Sequence, residues 1–386
     1  MEPSATVATT ALAADLVRQG HDVIAMSAGE PDFETPDHIK EAGIRAIRDG
    51  HTKYTAPASG LIELKEAIAH KLERENDLHY NPTQVVITCG AKQVIFDAIV
   101  ALIDPGDEVI LPAPLYVSYA DQVRLMGGEP VIVPTDPDGG FCLTPAQFQQ
   151  ALSPRSKLII FNSPCNPTGG IYNRAQFQAL ADLIAKADIF TISDEIYENF
   201  IYGDEEHVSI ATLNPAVSER CLTVNGFSKT YAMTGWRVGY GAGPQEWVTH
   251  IAKVQSQETT NTCTISQHAA IAALEGPQDA VAQMKETFER RRNTIADRLD
   301  GIDGIVCPRP RGAFYVFPDI TGLLRKTVPD DVSFCRYLLE EVGVAAVPGT
   351  GFSAPGYIRF SYTLPDDRLA DALDRVQNAV TSIQES

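Results

Sequence analysis

"SKLIIFNSPCNPTGGIYNRAQFQALADLIAKADIFTISDE", residues 156–195, contains a complete strand–helix–strand unit. Its "KLIIF" is apolar without alternation, the pattern of a strand buried on both faces of a parallel sheet. Phe177, Leu180, Ala181 and Ile184 follow at i, i+3, i+4 and i+7, the spacing of one helix face. Asn173 and Gln176, three residues apart just ahead of that face, predict a capping box. "DIFTISDE" (188–195) then returns as a second apolar strand. Strands joined through a helix run parallel, so the unit sets the class as α/β.

The pattern extends outward. "QVVIT" (84–88), "DEVILP" (107–112), "EPVIVP" (129–134) and "CLTVNG" (221–226) read as further strands, and "AKQVIFDAIVALI" (91–103) as a helix. Beyond about residue 280 the pattern changes. "MKETFERRRNTIADRLD" (284–300) is a long amphipathic helix. Strand-like "GAFYVFPDI", "GVAAVPG" and "YIRFSYT" follow, then a last helix, "DDRLADALDRVQNAVTSI". These predict a smaller α+β domain. "PDFETPDHI" and "TAPASG" in the N-terminal part read as loops.

Bulk composition narrows the function. With 386 residues, 44% of them apolar, the chain can bury a core without disulfide support. A net charge of −19 argues against a general binder of nucleic acid or anionic membrane, yet leaves room for a small anion in a local basic pocket. Seven cysteines (89, 142, 165, 221, 263, 307, 335), odd in number and without a C-x-x-C pair, fit reduced thiols better than a disulfide framework or a zinc site. The start lacks a basic region followed by an apolar one, and no apolar run approaches the ~20 residues that span a bilayer. A cytoplasmic, soluble protein is expected, with no metal.

In a doubly wound sheet, ligands gather at the carboxyl ends of the strands. After "VVITC" come Gly90, Ala91 and Lys92, which open a helix and leave backbone N–H groups for an anion, or else form an ordinary tight turn. No G-x-x-x-x-G-K-[ST] is present, and "GYGAGP" (239–244) is not G-x-G-x-x-G. "NSPCNPTGG" (162–170) is a rigid turn with two X-Pro bonds, one of them a candidate for the cis form. Its Asn166 either donates to a ligand or organises the loop. Asp194 is either an exposed helix cap or a buried carboxylate in need of a positive partner; adjacent Glu195 faces the other way, so the two form no acid/base pair. In "NGFSKTYAMTGWRVGY" (225–240), Lys229 is a surface lysine, or a Schiff-base nucleophile if its surroundings lower a pKa of ~10.4. Arg237 offers a planar fork for phosphate or carboxylate. Arg359, among aromatics in "YIRFSYT", either pairs with a buried carboxylate or awaits an anionic ligand. Pyridoxal phosphate needs all of these together. Its phosphate takes a helix N-terminus and an arginine, its ring nitrogen a carboxylate, its 3-oxygen neutral donors and its aldehyde a lysine.

"SAGEPDFETP", "KYTAPASG", "NSPCNPTGG", "SDEIYENFIYG", "NGFSKTYAMTGWRVGY" and "YIRFSY", in that order across essentially the whole chain, resemble the class I aminotransferases of fold type I. The nearest resemblance is to bacterial aspartate aminotransferases of the prokaryotic subgroup. It implies a large domain (40–280), with a mostly parallel seven-stranded sheet covered by helices. A small α+β domain would combine 1–39 with 281–386. Lys229 would hold the cofactor's aldehyde and move the substrate proton. Asp194 would pair with the ring nitrogen, Tyr197 and Asn166 would bond the 3-oxygen, and Tyr116 would stack on the ring. Gly90, Ala91 and Arg237 would bind phosphate, and Tyr54 would reach the phosphate of a neighbouring subunit, making a homodimer with shared sites. Gly226 stands where many relatives carry a phosphate-binding serine, with Ser228 nearby. Arg359 would take the substrate α-carboxylate, helped by the Gly29 backbone and Asn166.

Lys92, with Ser4 and Thr6, would take a distal carboxylate, which favours aspartate as donor and 2-oxoglutarate as acceptor in a ping-pong cycle. Transamination of aromatic or neutral amino acids is the alternative. Prephenate is disfavoured by Glu2, where close relatives often have lysine. A non-catalytic amino-acid sensor of the same fold is disfavoured by the intact Lys229 and Arg359, the negative charge and the lack of a preceding helix-turn-helix.

Overall fold

Residues 156–195 form the predicted strand–helix–strand unit in a computed structural model that describes residues 5–385. The helix Arg174–Ala187 begins with a reciprocal cap: the Gln176 amide N–H donates to Asn173 Oδ1, and the Asn173 N–H donates to Gln176 Oε1, both at 2.9 Å. Phe177, Leu180, Ala181 and Ile184 form its buried face, each large side chain contributing about 1.5–3 kcal/mol by burial. Asp188, with φ +58°, ends the helix in the left-handed region.

Among the described residues the strands are β1 (Ile24–Ala25), β2 (Val85–Thr88), β3 (Glu108–Ala113), β4 (Glu129–Pro134), β5 (Ser156–Asn162), β6 (Phe190–Asp194), β7 (Cys221–Gly226), β8 (Gly239–Ala242), β9 (Tyr315–Val316), β10 (Val344–Ala345), β11 (Val347–Pro348) and β12 (Ile358–Ser361). Seven of them make the main sheet, in the order β2-β8-β7-β6-β5-β3-β4. Every pairing in it is parallel except those of β8, which runs against both β2 and β7. The expected α/β class and mostly parallel seven-stranded sheet are therefore what the chain forms. Strand β8 comes from "GYGA", whose glycines hide a strand from any β-propensity reading.

The C-terminal part is helical and stranded as expected, with shorter strands. Of "GAFYVFPDI" Tyr315–Val316 forms a strand, within a three-stranded antiparallel sheet β11-β12-β9, while Gly312 and Asp319 make single bridges. Its long helix starts earlier than predicted, running Asp279–Asp300, because Val281 continues the buried face past the expected start. "PDFETPDHI" is not wholly loop: Pro36 stands at the N-cap of the helix Asp37–Arg48. β1 pairs in parallel with β10, which joins the N-terminal segment to the C-terminal part.

Under the sheet, Lys71 from the helix Ile62–Asn76 forms a buried ion pair with Glu198 and donates to Asn76 Oδ1 at 2.7 Å. Asn225 at the end of β7 donates to Glu198 Oε1 at 2.7 Å, so the network ties helix, strand and the turn after β6 together. Burial pushes the Glu198 carboxyl up, but Lys71, His207 and the hydrogen bonds outweigh it and hold the group below its ordinary value. Lys71→Met strands a buried carboxylate and is expected to destabilise the chain by about 3 kcal/mol or more. An earlier urea midpoint would show this, and the double variant with Glu198→Gln should recover much of the loss.

Candidate active site

The carboxyl ends of β2, β3, β5, β6 and β7 converge on a cavity of about 310 Å³. Beside it Gly90, with φ +88°, turns the chain from β2 into the helix Ala91–Leu102. A Cβ at Gly90 would stand 2.6 Å from Arg237 Nη2, so glycine is required both for the turn and for the guanidinium's approach. Arg237 is itself exposed and donates to the carbonyls of Thr234 (2.9 Å) and Cys89 (3.3 Å). No carboxylate pairs with it among the described residues. A helix N-terminus beside an uncompensated guanidinium makes an anion site.

Arg359, on β12, also lines the cavity and is 1% exposed. It donates to Asn166 Oδ1 at 2.9 Å and to the Ser27 carbonyl at 2.7 Å, and lies 4.5 Å from the centroid of the Tyr315 ring. Its Nε has no hydrogen-bond partner, and no carboxylate meets it among the described residues. Of the two readings open for Arg359, the structure favours the anionic ligand.

Lys229 lines the same cavity as both guanidinium groups, its Nζ donating to the Gly29 carbonyl. Burial lowers its pKa to about 8, the positive charges of Arg359 and Arg237 act the same way, and Glu30 and Asp194 oppose them. Asp194 is buried rather than an exposed cap. The Tyr119 phenol donates to its Oδ2 at 2.6 Å and the Ile196 amide to its Oδ1 at 3.2 Å. Desolvation raises its pKa to about 6, moderated by those two donors. Glu195 faces away, as expected, and accepts from Ser193 (2.8 Å) and Ser209 (2.7 Å). The Tyr197 and Tyr315 hydroxyls share a hydrogen bond of 2.8 Å, and burial raises both above the usual phenol range. In the turn after β5 both X-Pro bonds, Ser163–Pro164 and Asn166–Pro167, are cis. There Asn162 holds the Asp194 carbonyl (3.1 Å) and accepts from the Asn166 amide (2.8 Å).

Gly29, Ala91, Lys92, Tyr116, Asn166, Asp194, Tyr197, Lys229, Arg237 and Arg359, all singled out from the sequence, line this cavity, and Gly90 abuts it. Tyr54 does not line it; the residue is 82% exposed. Ser4 and Glu2 lie outside the described residues, as does the side chain of Thr6. A Cβ at Gly226 would meet Gly239 Cα at 3.0 Å and the Val238 carbonyl at 3.1 Å, so β8 leaves little room for a serine there. Ser228 lines the cavity instead. Sequence reasoning passed over Tyr119, Asn162 and Tyr315. Asn162 was within reach of the strand-end rule, since it closes β5.

The site thus offers two guanidinium groups free of carboxylate partners among the described residues, an amine of lowered basicity and a carboxylate in the wall. A family model described as "Aminotransferase class I and II" matches residues 21–376. An aspartate/prephenate aminotransferase of Cereibacter sphaeroides is 47% identical over 98% of this chain and 96% of its own length. An aspartate aminotransferase of Geobacillus stearothermophilus is 46% identical over 97% of this chain and 96% of its own. Two solved structures superpose closely. Aspartate aminotransferase from Rhizobium meliloti has a TM-score of 0.95 and 42% identity, covering 99% of this chain and 97% of its own. The Thermus thermophilus enzyme with maleate has a TM-score of 0.93 and 44% identity, covering 98% and 97%. The chain belongs to the class I and II aminotransferases and is an amino-group-transferring enzyme.

The lowered basicity of Lys229 has a direct readout in the cofactor-free chain. Its labelling by an amine-acylating reagent should rise with pH through about 8, well before that of surface lysines. Peptide mass spectrometry of the segment 225–237 checks this; a profile matching the surface lysines would contradict it.

Proposed function

We propose that this chain is an aspartate aminotransferase that uses pyridoxal phosphate to move the amino group of L-aspartate to 2-oxoglutarate. The observation that carries the reading is that Lys229 lines one cavity with Arg237, Arg359 and the buried Asp194, close enough for all three charges to act on its amine. The residues fit the cofactor. Arg237, Gly90 and Ala91 suit its phosphate, Asp194 its ring nitrogen, Tyr197 and Asn166 its 3-oxygen, Tyr116 a ring face and Lys229 its aldehyde. Pyridoxal phosphate, when bound, supplies the electron sink that makes the substrate Cα proton removable. Arg359 grips the substrate α-carboxylate with its fork and so fixes the Cα bonds in space. The Lys229 amine, neutral over much of the range above its lowered pKa, takes the Cα proton and returns it on the other side of the transfer. Tyr197 and Tyr315 stay protonated and donate without competing as bases.

Lys92 supports the dicarboxylate preference. It lines the cavity, its ammonium 5.3 Å from the Tyr116 ring centroid, and forms no ion pair among the described residues. The Thermus thermophilus relative was solved with maleate, itself a dicarboxylate. Exposed Tyr54 supports a homodimer in which each subunit completes the other's phosphate site. The β1–β10 pairing supports a large domain of 40–280 and a small one from 1–39 with 281–386. Among the described residues no helix is long and apolar enough to cross a membrane, which supports a cytoplasmic location. The relatives named aspartate/prephenate aminotransferase make prephenate a necessary arm of any acceptor panel.

Arg359→Ala should lower kcat/KM about a hundredfold or more for every amino acid while leaving the cofactor bound. Lys92→Ala should cost about tenfold for aspartate and little for phenylalanine. Equal losses for aspartate and phenylalanine in Lys92→Ala would remove the basis for dicarboxylate specificity.

A further inference from the structure

We propose that Tyr119 is a positioning residue, whose buried phenol holds Asp194 as an oriented, charged acceptor for a protonated ring nitrogen. The inference rests on the cofactor reading given above and adds a residue that touches neither cofactor nor substrate, since Tyr119 does not line the cavity.

Three observations support it. First, Asp194 is 6% exposed, and among the described residues its carboxylate meets no lysine or arginine in hydrogen-bond reach and has two donors, the Tyr119 hydroxyl at 2.6 Å and the Ile196 amide at 3.2 Å. The phenol is the shorter contact and the one side-chain donor, and each donor engages a different oxygen. Together they fix the plane of the carboxylate. Second, Tyr119 cannot readily turn away. It is 2% exposed within the apolar cluster above the sheet, and its ring packs edge-on against Tyr116, centroids 5.5 Å apart. Its backbone amide donates to the Tyr116 carbonyl at 3.1 Å. The short segment 116–119 therefore supplies a residue of the cavity wall and, three positions on, the support beneath the carboxylate. Third, Tyr119 acts only as a donor. Burial, and then the charge of Asp194, push its phenol well above the ordinary range, so it stays neutral at any working pH.

The charged and titratable groups around the pair are few. Lys229, from the turn after β7, favours the ionised form of Asp194, and Glu195 opposes it. Cys165 and Tyr116 face the phenol, and burial raises the Cys165 thiol so that it stays neutral. With burial favouring the uncharged carboxyl, the phenol is the main hydrogen-bond donor acting against protonation. Without it, Asp194 takes up a proton at a higher pH, and a protonated carboxyl cannot pair with a protonated ring nitrogen.

The test is the affinity of the cofactor-free chain for pyridoxal phosphate, by equilibrium dialysis between pH 5.5 and 8.5, for wild type and Tyr119→Phe. The variant should bind about tenfold more weakly at the acid end, where a pKa raised by about one unit matters most, and approach wild type near pH 8.5. The acid limb of kcat/KM should move up by about one pH unit. In an Asp194→Asn background, Tyr119→Phe should change neither quantity. A deficit equal at every pH, or one undiminished in the Asp194→Asn background, would mark Tyr119 as a packing residue and overturn the inference. So would a Tyr119→Phe variant that matches wild type throughout. If the wild-type chain itself binds no pyridoxal phosphate, the cofactor reading fails and this inference with it.

Discussion

Arg359 lies almost wholly out of water, and no carboxylate meets it among the described residues. A cation in that position costs several kcal/mol relative to water unless something compensates. Here the compensation is partial: two oxygen acceptors, two aromatic faces, and an Nε left without a partner. In a chain with 50 acidic residues, keeping every carboxylate away from this guanidinium is a constraint on the whole fold. Asn166, Ser27 and Tyr315 reach it from three separate parts of the chain. The same arrangement that leaves the cation unneutralised helps depress the basicity of Lys229 across the cavity. Burial is the larger cause of that lowering, and the unneutralised guanidinium adds to it.

The architecture was readable because hydrophobic periodicity survives wherever burial is two-sided. The apolar runs of β3, β5, β6 and β7 admit few other readings, and the Asn173–Gln176 cap marks its helix start to the residue. β8 shows where that signal fails. "GYGA" owes its strand to neighbours on both sides, which pair with it regardless of its weak local preference. The early start of Asp279–Asp300 and the helix opening at Asp37 are boundary effects, set by packing rather than by composition.

Most cavity residues were legible because strand ends are fixed points in an α/β sheet. Asp194 closes β6 and Lys229 lies three residues beyond β7, so their place could be inferred before their neighbours were known. Tyr119 and Tyr315 could not be found that way. Each acts through a partner distant in sequence, Asp194 and Tyr197 respectively, and an isolated tyrosine in an apolar run looks like core. Arg359 was ambiguous for the same reason, since only the structure shows that no carboxylate comes near it.

The pairing of β1 with β10 has a consequence for how the molecule comes into being. The Arg359–Ser27 hydrogen bond spans 332 residues, and the Ser361 amide reaches back to the Met26 carbonyl. Gly29, which holds the Lys229 amine, sits just beyond that tether. During synthesis the main sheet can assemble from the residues through 242, but the first 30 residues must wait for nearly the last 30 to leave the ribosome. Contacts of such high sequence separation form late and slowly. Lys229 and Asp194 can take their places at the sheet before Ser27 and Arg359 meet, so the cavity is completed only when translation is almost done.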